Sequence, residues 1–104
     1  MRNLQLRRNN KLIMNKSLIR YWFEFEIKIA SNYPPGVGIG CGVTAFNIED
    51  AYGQMDEKIF MSIKRPSIIK TIEHVNISKL DQNHVIPNMS ISTHRGIWYP
   101  LGYE

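Results

Sequence analysis

The chain has a single cysteine, Cys41. No disulfide framework can hold it together, which suits a reducing compartment. Cys41 falls on the apolar face of a strand pattern and reads as a small buried hydrophobe rather than a nucleophile. No apolar run approaches the ~20 residues of a membrane span, and no apolar stretch follows the N-terminal charges as a secretion signal would require. The cytoplasm is the expected location, with no membrane involvement. There is no phosphate-gripping G-x-x-x-x-G-K-[ST] loop and no serine in a strand–turn–helix elbow. Repeats and low-complexity tracts are also missing.

Acidic residues are missing from one region. Arg2, Arg7, Arg8, Lys11 and Lys16 lie in the first sixteen residues with no acid among them. The chain carries thirteen Lys and Arg against nine Asp and Glu, hence +4; setting aside those five leaves eight against nine, a net of −1 from Ser17 onward. The basic character belongs to an arm, residues 1–16, and not to the body, which weakens the case for a nucleic-acid-binding face on residues 17–104. Within the arm, Leu4 and Leu6 alternate with polar neighbours before Asn9-Asn10, the pattern of a short hairpin. Met14-Asn15-Lys16-Ser17 also reads as an alternative start.

What is present is organised around Leu18 to Phe46. Ile19, Tyr21, Phe23, Phe25, Ile27 and Ile29 alternate with Arg20, Trp22, Glu24, Glu26 and Lys28, the period of a half-buried strand. Pro34-Pro35-Gly36 ends the loop that follows, because proline fixes φ and has no donor. Val37, Ile39, Cys41, Val43 and Ala45 then alternate with Gly38, Gly40, Gly42 and Thr44, giving a second strand over Val37 to Phe46. A glycine stripe in a strand asks for a reason. Either indole rings such as Trp22 or Trp98 lie flat over bare backbone, or a ligand or partner approaches there. Gly40-Cys41-Gly42-Val43-Thr44-Ala45 formally matches G-x-G-x-x-A. A dinucleotide site needs those glycines in the turn after a strand, whereas here they lie inside one.

Asn47 is a helix N-cap, with Glu49 and Asp50 at the positive end of the dipole. Ile48, Ala51, Tyr52, Met55, Ile59 and Phe60 recur at helical spacing and form one apolar face. Gln54, Asp56, Glu57 and Lys58 read as solvated, and the helix stops near Ser62. Ser67 to Ile77 is rich in β-branched residues and reads as a strand. Ser78 to Asn83 reads as a capped turn with Leu80 inward, His84 to Asn88 as extended, and His94 to Tyr99 as a last strand. The predicted fold is α+β: a small, mostly antiparallel sheet in the order β-β-α-β-β with one helix packed on one face.

No catalytic constellation, cofactor site or metal site is expected. His74, His84 and His94 stand ten residues apart, without the spacing of paired ligands. Asp81 and His84 share a turn and suit an oriented histidine base, and with His94 they define a hydrolase alternative. Asp and Asn at turns usually cap backbone donors, however, and that is the favoured reading of Asp81. Trp22, Trp98, Tyr99 and Tyr103 read as too many rings to hide in a body this small. Since Trp, Tyr and Arg dominate binding hot spots, Arg20, Trp22, Arg95, Trp98 and Tyr99 are the candidate partner-binding residues. The alternative that ranks ahead of the hydrolase is a single-stranded nucleic-acid module, with the arm on phosphate and aromatics on bases.

Arg20-Tyr-Trp-Phe-Glu-Phe25, Pro35-Gly-Val-Gly-Ile-Gly-Cys-Gly-Val-Thr-Ala45, Glu49-Asp-Ala51, Asn83-His-Val-Ile-Pro-Asn-Met89 and Arg95-Gly-Ile-Trp-Tyr-Pro-Leu-Gly102 resemble small bacterial immunity proteins of contact-dependent inhibition and other polymorphic toxin systems. The resemblance covers residues 17–104 and leaves out the arm. It implies a stoichiometric, non-enzymatic inhibitor that binds a cognate toxin domain, often a nuclease. Such proteins share no common motif, so no functional residue carries over. A body of net −1 departs from the strongly acidic inhibitors expected against basic nucleases.

Overall fold

The computed structural model describes residues 17–27 and 33–104. The proposed hairpin in residues 1–16 lies outside that range. Four strands form one sheet: β1 (Ile19–Phe25), β2 (Cys41–Ala45), β3 (Ile68–Glu73) and β4 (Gly96–Tyr99), in the spatial order β3-β1-β2-β4. Every neighbouring pair is antiparallel. One helix, α1 (Ile48–Met55), continues into a wider π-helical turn over Asp56–Phe60. The fold is therefore the small α+β domain that the sequence pattern predicts.

The pairing of Tyr21 with Val43 and of Phe23 with Cys41 puts apolar side chains of β1 and β2 on one face. Tyr21, Phe23, Phe25, Cys41, Val43, Ala45 and Ile97 meet Ala51, Met55, Ile59 and Phe60 there. This is the core under the helix. The cap forms as the sequence suggests: Asn47 Oδ1 accepts from the Asp50 N–H at 2.8 Å, and Asp50 Oδ2 accepts from the Phe46 N–H at 3.0 Å. The two bonds resemble a capping box displaced by one residue, worth about 1 kcal/mol.

Three expectations need correcting. The second strand is shorter than predicted, because residues 35–39 form turns and only Cys41–Ala45 is extended. Val37 is buried while Ile39 is exposed, so the shared face read from their alternation does not exist. Residues 84–88 are not extended but form turns, ending in a 3-10 turn over Ile86–Asn88. Gln54 is 3% exposed instead of solvated; its Nε2 donates to the Thr44 carbonyl at 3.3 Å.

The largest correction concerns the reverse of the sheet. It is not left as bare backbone with one covered face. Trp22 on β1 and Trp98 and Tyr99 on β4 form a second core with Val75 and Val85, and Ile72, Ile77, Leu80 and Met89 pack against it. The segment after β3, through a 3-10 turn at Ile77–Lys79, supplies this cover. The same packing explains Gly40 and Gly42, though not Gly38, where a Cβ would meet nothing. A Cβ on Gly42 would land on the Trp98 ring, and one on Gly40 would meet the Trp22 ring and the Phe23 carbonyl. The aromatic-cover reading is thus the one realised, and the dinucleotide motif stays excluded, since Cys41–Ala45 is strand.

Arg95, the residue before β4, is tied to the first turn of α1. Its Nε donates to Asp50 Oδ2 at 2.9 Å and its Nη2 to Oδ1. That bond, then those from Phe46 and Gln54, hold the Asp50 carboxyl below the usual aspartate range against a smaller opposing push from burial. A carboxyl with a lowered folded pKa stabilises above its unfolded pKa, near 3.9, and that contribution is lost as pH falls through the folded value. Urea unfolding should therefore show stability declining below about pH 4. Asp50→Asn should flatten part of that decline and cost about 1–2 kcal/mol at pH 7. A slope unchanged by Asp50→Asn would show that the pair is not coupled to folding. Asp81, held low by the backbone N–H of Asn83 and by His84, keeps a residual slope in the variant.

Candidate docking surface

The aromatic residues expected at a contact patch are inside the molecule. Trp98 is 0% exposed, Trp22 2% and Tyr99 4%. The Trp22 ring lies 6.0 Å from that of Trp98 and 5.7 Å from that of Tyr99, and its Nε1 donates to Glu24 Oε2 at 2.9 Å. These three are core, not anchors for a partner. The reason is the second layer, which sequence periodicity did not announce. Arg95 is exposed but engaged, gripping Asp50 and lying 5.4 Å over the Phe46 ring. Arg20 is half-buried beside Thr44 and His74.

The acid–base candidates are partly assembled. His84 Nδ1 sits 3.0 Å from Asp81 Oδ2, as an oriented histidine would. Asp81 Oδ1 also accepts from the Asn83 and His84 N–H groups at 2.8 and 3.0 Å, so the capping role is real as well. Both residues are exposed. His94 lines a separate hollow with Lys58, Ile91 and Glu104, so the three-residue set is not brought into one cavity. The Cys41 thiol is fully buried, and burial pushes its pKa far up. Among the described residues, no group of three or more His, Cys, Asp or Glu is placed to hold a metal ion, and no helix is long and apolar enough to cross a membrane.

Exposed large apolar side chains occur along the chain, including Phe46, Ile91 and Leu101; two of them, Met61 and Ile63, lie on the connection from the helix to β3, and Ile69 lies in β3 itself. Met61 is 71% exposed, Ile69 65% and Ile63 40%. The geometry of Met61 is the decisive detail. The π-helical turn closes with the Met61 N–H donating to the Asp56 carbonyl at 2.7 Å, and the Ile63 N–H then donates to the Phe60 carbonyl at 2.7 Å. Met61 thus holds the second position of a four-residue turn, at φ 53° and ψ −112°. That is the type II′ conformation, in which glycine is strongly preferred. An exposed methionine stands where glycine would be relaxed.

No family model, curated protein or solved structure matches this chain. The surface is therefore read from its own chemistry. Arg65 fixes the connection: its guanidinium lies 4.5 Å over the Tyr52 ring and donates to both Asp56 oxygens at 2.8 Å. Lys64 beside it is exposed. Among the described residues β3 pairs with β1 alone and forms an edge of the sheet. A register shift between Glu24 and Phe25 lets β3 bulge at Ile69, between Ile68, opposite Phe25, and Lys70, opposite Glu24. Bulges of this kind re-aim a side chain and blunt an edge against indiscriminate pairing. Ile68 turns to the core under the helix while Ile69 stays in solvent.

Sequence reasoning missed Met61, Ile63 and Ile69. Ile68-Ile69 was a signal, because consecutive residues of a strand point to opposite faces and so cannot both be buried under a one-sided layer. Met61 carried none, since its strain arises from the turn closure.

Proposed function

We propose that this chain is a non-enzymatic protein-binding module of the cytoplasm, an immunity protein that captures and neutralises a cognate toxin domain. The surface of Met61, Ile63 and Ile69 beside the edge of β3 would be the contact. The observation that carries this reading is Met61, kept in a conformation that costs about 1–3 kcal/mol while exposing its apolar side chain. Strain that the fold does not need points to use by a partner. Methionine is suited to such use because its flexible thioether adapts to the opposing surface. The resemblance of residues 17–104 to immunity proteins supplies the class of partner. A body of net −1 supports an apolar contact rather than an acidic mimic of nucleic acid.

The experiment is co-expression with the product of the adjacent gene, followed by titration of the purified pair. Ile69→Arg should weaken the complex by at least about 2 kcal/mol, roughly thirtyfold, with little change in the stability of the free protein. A neighbour that is no toxin, or a tight complex indifferent to Ile69→Arg, would remove this reading.

Met61→Gly separates strain from contact. Relief of the turn should raise stability by about 1–2 kcal/mol in urea unfolding, and the same change should weaken partner binding. A variant that is more stable and binds as well as the wild type would show that Met61 is no contact residue.

A further inference from the structure

The hollow at the Ile19 end of the β1–β2 pair has an unusual lining: Leu18, Arg20, Thr44, His74, Ser92 and Thr93, around about 240 Å³. It offers a guanidinium, an imidazole and three hydroxyl-bearing side chains, and no carboxylate. Arg20 and Thr44 are cross-strand partners. Thr44 Oγ1 donates to the Ser92 carbonyl at 2.6 Å, which ties residues 92–93 against β2. His74 is brought in by a backbone hook. It sits at φ 54°, and the Val75 N–H after it donates to the Arg20 carbonyl at 3.0 Å. Histidine is among the few residues enriched in that conformation. The adjacent acid, Glu73, is registered with Tyr21, on the face toward the helix.

Arg20 has no ion-pair partner. All nine acidic residues lie among the described residues, and the ion pairs they form are with Arg65, His84 and Arg95. A half-buried arginine without a carboxylate partner, beside the exposed His74 and Thr93 and the half-buried Ser92, is an arrangement short of one anion. We propose that this hollow binds a phosphate-type oxyanion, with Arg20 donating from its planar fork to two oxygens and His74, Ser92 and Thr93 supplying further donors. The site is separate from the docking surface and does not depend on the function proposed above.

The test is titration of the full chain with inorganic phosphate, glycerol phosphate and acetate at fixed ionic strength, followed by NMR shifts and by thermal unfolding. Saturable binding of inorganic phosphate is expected, with shifts centred on residues 20, 74, 92 and 93 and a rise in Tm by mass action. Tighter binding of glycerol phosphate would assign a phosphate ester, and tighter binding of inorganic phosphate the free ion; both support the site. Arg20→Gln should weaken binding about tenfold or more, and Arg20→Lys less, because it keeps the charge and loses the fork. His74→Asn, which tolerates the same backbone conformation, should weaken it several-fold with the unliganded Tm retained. Where Arg20→Gln fails to fold, the Ser92→Ala/Thr93→Ala double variant is read in its place. No saturable binding, equal affinity for acetate, or affinity unchanged in these variants would overturn the proposal.

Discussion

Truncating Trp98 to alanine should cost about 3–5 kcal/mol, read as a fall in the urea midpoint at constant slope. The ring is wholly buried, stacks near Trp22 and covers the backbone of Gly42. That loss is a large fraction of the about 5–15 kcal/mol by which a domain is stable. Trp98→Phe should cost much less, since it keeps an aromatic disc and discards an indole N–H that has no hydrogen-bond partner among the described residues. Gly42 supplies the internal control. Gly42→Ala should cost about 1–3 kcal/mol by overpacking against the indole, but far less in the Trp98→Ala background, where the obstructing ring is gone. The two sites should therefore show a coupling energy of about 1 kcal/mol or more. Equal costs in both backgrounds would mean that the ring does not lie on Gly42.

Phe60→Ala should have an effect of similar size on the other face, about 3–5 kcal/mol. Its ring meets those of Phe25 at 5.6 Å and 81° and of Tyr33 at 6.1 Å and 87°, both edge-to-face. It is also the residue from which the strained turn at Met61 departs. Phe60 belongs to the core under the helix and Trp98 to the core behind the sheet. With the sheet between them, their costs should add to within about 0.5 kcal/mol. A large coupling would show that the molecule has one continuous core and not two.

Periodicity and capping chemistry were sufficient for the first core. The alternation of Tyr21, Phe23 and Phe25, the Asn47 cap and the helical spacing of Ala51, Met55 and Ile59 all describe interactions between residues near in sequence, or a single apolar face. Trp22 was only half legible: the glycine stripe admitted an indole cover, but not the layer that buries the ring itself. Its place among Arg20 and Glu24 made it look solvent-facing, and nothing local reports that residues 75–89 return across it. Gln54 failed for the same reason. Its position on the helix looked polar, but it lies over the end of β2, where the Thr44 carbonyl accepts from it.

The candidate surface was less legible still. The three aromatic residues singled out as anchors proved to be buried, while Arg95 is exposed and paired with Asp50, and Arg20 lines the proposed anion hollow. The exposed apolar residues came instead from Met61, Ile63 and Ile69, whose exposure depends on a turn closure and a strand bulge.

By itself the sequence determined the element types, the cap and the apolar face beneath the helix, because these follow from side-chain spacing along a locally regular backbone. Only the tertiary structure decided that the sheet is covered on both sides, that Gly40 and Gly42 lie under indole rings, and that Arg20 and His74 share one hollow. Those outcomes depend on contacts such as Trp22 with Tyr99, more than seventy residues apart in the chain, where chain pattern carries no register and the cost of closing the intervening loop is nearly independent of which partner is met.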